Sequence, residues 1–223
     1  MKLPKLLKEI GGVADKEGIN AFVVGGFVRD AMLGISDKDI DIVVDPAPKS
    51  QTKLLGCGVE ANAINFAKIL AKKWSVKPVL HEGFKTATIE KSGYRVDFVT
   101  ARKERYRKPA ALPEITPATI KEDLLRRDFT INAMAVSLNK KDFGKLVDFC
   151  GGRKDIKARK IRILHDKSFI DDPTRIFRAI RFQKRLGFII EPRTQKLMAD
   201  AINAGMIQKL KKQRIKKELE HES

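Results

Sequence analysis

The stretch Val23–Val44 reads VVGGFVRDAMLGISDKDIDIVV: two glycines end a first apolar run, and two aspartates stand inside a second. Side chains alternate faces along a strand, so Asp39 and Asp41 point to one face, about 6.6 Å apart, and the isoleucines beside them to the other. Carboxylates at that spacing repel each other unless a positive charge lies between them. The second run therefore predicts a strand that carries a cation site.

The paired glycines Gly25 and Gly26 stand where a predicted strand, residues 21–24, meets a predicted helix containing residues 28–33. Glycine lets the backbone approach a phosphate closely, and a helix N-terminus offers free N–H groups with a partial positive charge. Gly-Gly pairs are also common in ordinary turns. Beside two same-face aspartates, however, an anion cradle indicates a nucleoside triphosphate that divalent cations bridge to the protein.

The metal expected between Asp39 and Asp41 is Mg²⁺, because carboxylate oxygens are hard ligands. A two-metal site needs ions about 3.5–4 Å apart, a separation that two carboxylates on one strand face can span. Asp97 interrupts the apolar run YRVDFV and is a candidate third catalytic carboxylate. The alternative is an exposed residue on a half-solvated strand.

The remaining periodic patterns predict an α+β fold with two parts. A first helix spans the apolar positions from Leu3 to Val13 and ends before Gly18. Further helices are predicted over about 62–73, 120–132, 171–186, 193–203 and 209 to the end, and strands over 77–81, 84–90, 94–100, 135–138 and 145–149. Residues 1–150 are expected to form a small mixed sheet with helices, and residues 151–223 an all-helical region.

The charge of the chain points to a polyanionic partner. The 223 residues carry a formal net charge of +18. Residues 1–152 hold 26 basic and 19 acidic side chains, whereas residues 153–223 hold 20 and 9, so the second part is the more basic. A lysine-rich solvated surface is the alternative, and charge alone does not separate RNA, DNA and anionic lipid.

Other features of the composition favour a cytoplasmic protein. No window approaches the roughly 18 consecutive apolar residues of a membrane span, and the N-terminus lacks a signal-peptide pattern. Cys57 and Cys150 lie far apart without metal-ligand spacing and are expected to be reduced thiols. Three histidines disfavour histidine-rich metal chemistry.

Four motifs follow one another in the chain: GGFVRDAMLG with DIDIVV, LLRRDFTINAMA, LVDFCGGRKDI and FIDDPTRIFRAIRF. With them, residues 19–188 resemble the family of class II tRNA nucleotidyltransferases and bacterial poly(A) polymerases, whose catalytic head is related to DNA polymerase beta. The resemblance implies that Asp39 and Asp41 bind the catalytic metals. It implies further nucleotide contacts by Gly25, Gly26 and Arg29 at the triphosphate, by Arg127, Asp128 and Asn132 at the nucleotide and ribose, and by Asp172 and Arg175 at the base.

Each of these side chains also has a plainer interpretation. Arg127, Asp128 and Asn132 could belong to a solvated helix turn, and Asp172 with Arg175 could be an intrahelical ion pair worth a few tenths of a kcal/mol. Arg178 and Arg181 continue the same predicted helix. They are interpreted as phosphate contacts, with an exposed solubilising face as the alternative.

The resemblance implies addition of C, A or both to the 3′ end of tRNA from CTP and ATP, with Mg²⁺ as cofactor and pyrophosphate as product. Poly(A) polymerase shares these motifs, and a catalytically inactive RNA-binding protein of the same fold is an alternative of another class. The intact Asp39/Asp41 pair argues against the latter. The sequence departs from the family in an apparent insertion, residues 46–58, and in its length, since family members continue into further helical regions. It does not predict an oligomeric state.

Overall fold

The computed structural model describes residues 3–45 and 62–220. Its strands are β1 (Asn20–Val24), β2 (Asp39–Asp45), β3 (Val79–His81), β4 (Thr86–Lys91), β5 (Tyr94–Thr100), β6 (Arg102–Arg105), β7 (Glu114–Pro117), β8 (Met134–Ser137), β9 (Leu146–Asp148), β10 (Lys160–Ile161) and β11 (Ile189–Ile190). Its α-helices are α1 (Lys5–Lys16), α2 (Gly26–Leu33), α3 (Ala63–Trp74), α4 (Ile120–Leu125), α5 (Gly152–Lys157), α6 (Ser168–Asp171), α7 (Thr174–Leu186), α8 (Pro192–Asn203) and α9 (Lys212–Glu220).

Seven strands form one mixed sheet in the order β3-β4-β5-β2-β1-β8-β9. β2 lies at its centre, antiparallel to β1 and parallel to β5, and Asp41 has Val24 and Asp97 as its register partners. Along β2 the isoleucines are buried and the two aspartates are exposed, as the alternation predicts. The sheet therefore presents its acidic residues on one face, near the end of β1 and the start of α2.

The apolar face of the sheet packs against α1 and α3, where Phe66 meets Phe98 edge-on at 5.9 Å between ring centroids. The same cluster of buried side chains continues through Phe129 and Phe182, whose ring centroids lie 5.8 Å apart, to Met206. The α+β fold is confirmed. Its core is continuous across Gly151-Gly152.

The helix predicted over residues 120–132 is wrong in its second half. Helix α4 ends at Leu125, and a 3₁₀ turn covers Thr130–Asn132. Between them the Asp128 carboxylate accepts a hydrogen bond from the backbone N–H of Phe129 at 2.7 Å, and Thr130 N–H bonds to a distant carbonyl instead of the preceding turn. Local side-chain capping of this kind competes with helix continuation.

The region after residue 150 is mainly helical, with four departures from the prediction. Helix α5 was not predicted. Pro173 divides the helix expected over 171–186 into α6 and α7, because proline has no N–H to donate. The last helix begins at Lys212 and not at residue 209. The two-residue strands β10 and β11 pair in parallel, so the region is not entirely helical.

Before residue 150, the hairpin of β6 and β7 was also not predicted.

Within the described ranges, no helix is long and apolar enough to cross a membrane. Cys150 is a free, half-buried thiol, and burial raises its pKa. Cys57 and the apparent insertion at residues 46–58 lie outside the described residues, so the expectations for them stay predictions.

Candidate active site

A wide cleft of about 1620 Å³ lies between the acidic face of the sheet and helix α7. Of the thirteen residues that the sequence singles out, twelve line it, and only Asp39 does not: the lining includes Gly25, Gly26, Arg29, Asp41, Asp97, Arg127, Asp128, Asn132, Asp172, Arg175, Arg178 and Arg181. These residues come from segments as far apart as β1 and α7. The tertiary fold therefore brings the separate motifs into one site.

The acidic side of the cleft is formed by β2 and β5. Asp41 and Asp97 are register partners across the parallel pair, and Asp37, which the sequence did not single out, also lines the cleft. Asp39 is exposed at the start of β2, where its N–H donates to Asp37 Oδ1 at 3.0 Å. On this side, Asp37, Asp41 and Asp97 thus line the cleft, and Asp39 follows Asp37 on the same strand-forming segment without lining it.

The Asp41 carboxyl has a raised pKa. The side chain has accessible surface, but it lies inside a cleft walled by protein, and this desolvation is the main cause. The charges of Asp97, Asp37 and Asp39 raise the pKa further, whereas Arg127 lowers it. Within the described residues, no ion pair engages Asp39 or Asp41. A bound cation would therefore offset a concentration of negative charge that the protein itself leaves only partly compensated.

The donor set fits a hard cation with few protein ligands. Among residues 3–45 and 62–220, no three His, Cys, Asp or Glu side chains form a group able to hold a metal ion. Asp97 is already engaged: Thr88 Oγ1 donates to it, and Arg95 Nε lies 3.3 Å from it. Mg²⁺ typically takes one or two protein carboxylates and completes its shell with phosphate oxygens and water. Asp39 and Asp41 are suited to that role, and the catalytic role of Asp97 stays a prediction.

Gly25 lies where the backbone turns from β1 into α2. Its φ is +68°, a conformation that side chains other than glycine rarely adopt, and a Cβ there would lie 2.7 Å from Arg127 Nη1. Gly26 is the first residue of α2. The positive φ explains why this position requires glycine, and the close contact with the guanidinium places the helix N-terminus beside a cationic side chain.

Arg127 keeps hydrogen-bonding capacity that the described residues do not use. Its Nη2 donates to Asp123 Oδ2 at 3.0 Å, whereas its Nε is buried without a hydrogen-bond partner among them. Buried polar atoms in native proteins are usually satisfied, so an unpaired one at a cleft calls for a ligand or water. Arg102 Nε, at the same cleft, is likewise buried without a partner in the described part of the chain, so Arg127 and Arg102 are both candidates for an anion contact.

Arg29 is held by the protein and is almost fully buried. Its Nε and Nη2 donate to the two oxygens of Asp30 at 2.7 and 2.8 Å, and its Nη1 donates to Asn132 Oδ1 at 2.6 Å. Asp30, fully buried, also accepts from Arg185 at 2.8 Å. Arg29 therefore orients the Asn132 amide. The resemblance had implied a contact of Arg29 with the triphosphate and did not suggest this function.

Asp128 joins Asn132 to helix α7. Its Oδ1 accepts from the Asn132 amide at 3.0 Å, and its Oδ2 accepts from Arg178 Nε at 2.8 Å. Burial by itself would raise the pKa of Asp128, but the Arg178 guanidinium and the hydrogen bonds lower it to about 2. Asp128 is therefore ionised at neutral pH, and Arg178 is a partner of a carboxylate and not a free cation.

Asp172 and Arg175 do not form the intrahelical ion pair considered from their spacing. Asp172 precedes α7, where its Oδ1 accepts from Thr174 and from Arg214 Nη2 at 2.8 Å. Arg175 is 5% exposed and donates to Ser168 Oγ and to a backbone carbonyl. Each residue has its own partners.

Helix α9 returns to the cleft, which the sequence did not predict. Arg181 donates to Glu218 Oε2 at 2.9 Å, and Arg214 holds both Asp172 and the carbonyl of Ala110. Arg214, Lys217 and Glu218 line the cleft with Arg181. No local spacing signals such contacts, because the partners lie 37 and 42 residues apart in the chain.

Residues 21–162 match the poly(A) polymerase head domain family. The chain is 43% identical over 201 residues to an A-adding tRNA nucleotidyltransferase of Aquifex aeolicus, an alignment that covers 90% of this chain and 23% of that protein. A structure of a CCA-adding enzyme in apo form II superposes with a TM-score of 0.87 at 44% identity, covering 99% of this chain and 49% of that one. The Thermotoga maritima CCA-adding enzyme complexed with tRNA superposes with a TM-score of 0.79 at 42% identity, over 98% of this chain and 46% of that one.

The curated relatives are longer proteins. The chain spans 23% of the length of the Aquifex relative and 42% of that of an A-adding tRNA nucleotidyltransferase of Halalkalibacterium halodurans. The family match nevertheless covers more than half of the chain and includes β1, β2, β5 and the turn that carries Asp128. The chain therefore belongs to the poly(A) polymerase head domain family, whose members it matches in sequence and in fold.

Proposed function

We propose that this chain is the catalytic part of a tRNA nucleotidyltransferase that adds C, A or both to the 3′ end of tRNA from CTP and ATP. The proposal rests on the distribution of charge in the cleft, which is acidic on one side and basic on the other. Carboxylates on β2 and β5 face arginines from the turn after α4 and from α7 across a single open space. A nucleoside triphosphate needs both, since its phosphates and their metal ions have opposite charges.

The size of the cleft supports two substrates. Small-molecule sites usually enclose about 300–1,000 Å³, whereas this cleft has about 1620 Å³ and is open to solvent. Such a space accommodates a nucleotide together with the end of an RNA strand. The basic character of residues 153–223 supports contact with the phosphates of that RNA.

In the proposed reaction, the RNA 3′-hydroxyl oxygen attacks the α-phosphorus, the bond to the β-phosphate oxygen breaks, and pyrophosphate leaves. Asp39 and Asp41 would hold Mg²⁺ through their carboxylates. Bound Mg²⁺ supplies Lewis acidity, which lowers the pKa of the hydroxyl and stabilises charge at the α-phosphate. Arg127 and the N–H groups beside Gly25 bind the triphosphate, and no covalent intermediate with the protein is required.

The remaining predicted residues are assigned to nucleotide recognition. Asp128 and Asn132, oriented by Arg29, lie where a ribose hydroxyl can bond to carboxylate and amide groups, as in other ribonucleotide recognition. Asp172 and Arg175 read the base edge: a carboxylate accepts from an exocyclic amine and a guanidinium donates to ring acceptors, a combination that favours C and A. Residues 1–150 form the catalytic head in this proposal, and residues 151–223 select the nucleotide and bind RNA.

The test is sequencing of the products formed from tRNA that lacks its 3′ end, incubated with CTP, ATP or both. Addition limited to C, A or CCA supports the proposal. Long runs of A on unrelated RNA would identify a poly(A) polymerase instead, and RNA binding without incorporation would identify an inactive binding protein. A cytoplasmic location remains a prediction from the sequence.

A further inference from the structure

The position of Arg175 depends on a residue that the proposed function has not used. Arg175 is nearly buried, and two hydrogen bonds fix its guanidinium: Nη1 donates to Ser168 Oγ at 2.6 Å and Nη2 donates to the backbone carbonyl of Arg126 at 2.9 Å. That carbonyl belongs to the residue that follows α4. Any movement of the Arg126 backbone therefore moves one of the two anchors of Arg175.

The Arg126 side chain is held from two directions. Its Nη1 donates to Glu104 Oε1 at 2.8 Å, its Nη2 donates to Asp123 Oδ1 at 2.8 Å, and its Nε donates to the carbonyl of Arg102 at 3.1 Å. Glu104 in turn accepts from the Tyr106 hydroxyl at 3.0 Å. A planar guanidinium bound on all three nitrogens has little freedom to rotate. Strand β6, through Arg102 and Glu104, therefore fixes the position of Arg126 after α4.

The two carboxylates that hold Arg126 differ in what else they hold. Asp123 is fully buried and binds Arg127 through its second oxygen, so a change there would disturb the triphosphate side of the cleft as well. Glu104 binds Arg126 and Tyr106 and lies 3.8 Å from Arg102 Nη2, with no contact to Arg127 among the hydrogen bonds and ion pairs of the described residues. A substitution of Glu104 can thus weaken the support of Arg175 without disturbing the contacts of Arg127.

We propose that Glu104 and Arg126 are positioning residues for the choice of nucleotide and act through Arg175. This inference rests on the proposed function, in which Arg175 reads the base. Neutralising Glu104 leaves Asp41 and Arg127 in place, but it removes one of the two carboxylate charges that offset Arg126. The Arg126 carbonyl, one of the two anchors of Arg175, is then held less firmly, while the bond to Ser168 remains. The discrimination between bases falls while the chemistry continues.

The experiment measures kcat and KM for all four ribonucleoside triphosphates with a tRNA acceptor hairpin, using the 223-residue chain and its Glu104→Gln and Arg126→Lys variants. We expect the preference for CTP and ATP over UTP and GTP to fall roughly tenfold in both, the scale of one weakened base-edge hydrogen-bond pair. Tyr106→Phe, which keeps the ring and removes one hydrogen bond to Glu104, should lower it less. Thermal unfolding of each variant accompanies the kinetics.

The matched control is Lys103→Gln on the same strand, because Lys103 pairs with Glu122 at 4.0 Å on an exposed surface. It should leave the preference unchanged. An unchanged preference in Glu104→Gln and Arg126→Lys, or an equal fall in Lys103→Gln, would overturn the inference while leaving the proposed function standing. If Glu104→Gln or Arg126→Lys is unfolded, the preference of Tyr106→Phe for CTP and ATP over UTP and GTP tests the inference in its place. Absence of incorporation by the unmodified chain would instead overturn the proposed function and this inference with it.

Discussion

The charged side chains on the two sides of the cleft differ in whether they have ion-pair partners. On the sheet, Asp39 and Asp41 have no ion-pair partner in the described part of the chain, and mutual repulsion contributes to the raised pKa of Asp41. On the helical side, Arg178 and Arg181 are each paired with a carboxylate, and so is Arg126. The two acids are left for a ligand to compensate, whereas these three arginines are paired and held in place before any ligand arrives.

This contrast has an energetic meaning. Like charges kept together on one strand face destabilise the unliganded fold and favour cation binding. Paired arginines are pre-organised, because their rotamers are fixed by neighbours and little ordering remains to be done on binding. We therefore expect changes on the acidic side to affect activity without loss of stability, and changes on the arginine side to affect both.

The largest expected effect is on the acidic side. Asp39→Ala and Asp41→Ala should each lower nucleotide addition by about a thousandfold or more, because the metal loses a ligand at the reacting phosphate. The melting temperature should stay the same or rise, since one repelling charge is gone. Glu90→Ala, an exposed carboxylate on β4 of the same sheet, is the control and should keep activity. Mg²⁺-dependent incorporation that persists in either aspartate variant contradicts the metal assignment.

The second effect tests stability on the arginine side. Asp128→Asn should destabilise the protein by about 2 kcal/mol at neutral pH, the value of lowering a carboxyl pKa from its ordinary range to about 2. Because the folded-state pKa lies below the unfolded one, this contribution is present above about pH 4 and disappears as the pH falls through about 2. Denaturant unfolding of both proteins between pH 7 and pH 2 should therefore show curves that converge in acid. A constant difference at all pH values would refute the ion pair as its source.

The third effect concerns selectivity. Asp172→Ala and Arg175→Ala should relax the choice among the four ribonucleotides by roughly tenfold, more than they slow the reaction, since their contacts are to the base. Their effects on stability should be additive, because each has its own partners in the structure and the two do not pair with each other. A strong coupling in the double variant, or loss of all activity with unchanged selectivity, would favour a purely structural role.

The sequence places the predicted arginines at the cleft as well as the acidic strand, but it does not predict which carboxylates the arginines pair with. Period-two alternation alone places Asp39 and Asp41 on one face of β2. The partners of Asp128, Asp172 and Arg181 depend instead on contacts between segments 37 to 50 residues apart, for which no local pattern exists. The break in the predicted helix 120–132 has the same origin, since a side-chain cap and a distant carbonyl replace the helical hydrogen bonds there.

The smallest effect tests RNA binding by the basic region, where the structure places Lys209, Lys211 and Lys212 on the surface. Charge reversal of these lysines should weaken binding of an acceptor-stem hairpin several-fold and flatten its salt dependence, by about 0.9 in log–log slope for each duplex phosphate that is no longer neutralised.

Because phosphate binding carries no sequence information, whole tRNA should bind only slightly better than the hairpin. A salt titration of both RNAs measures this. A strong preference for whole tRNA, a flat salt dependence in the unmodified chain, or full affinity after charge reversal would each count against the basic region as the main RNA-binding surface.

The parallel pairing of β2 with β5 also bears on how the site is assembled during synthesis. Asp41 and Asp97 become register partners only after Asp97 has emerged, and pairings of such long sequence separation form slowly. Arg178 and Arg181 emerge later still, and N-terminal parts of a chain fold first on the ribosome. A nascent chain is thus expected to acquire its acidic strands before the arginines of α7 exist. Translation arrested after Asn132 and before Arg178 should then yield chains without the ion-pair partner of Asp128, and so more open to proteolysis than the finished protein.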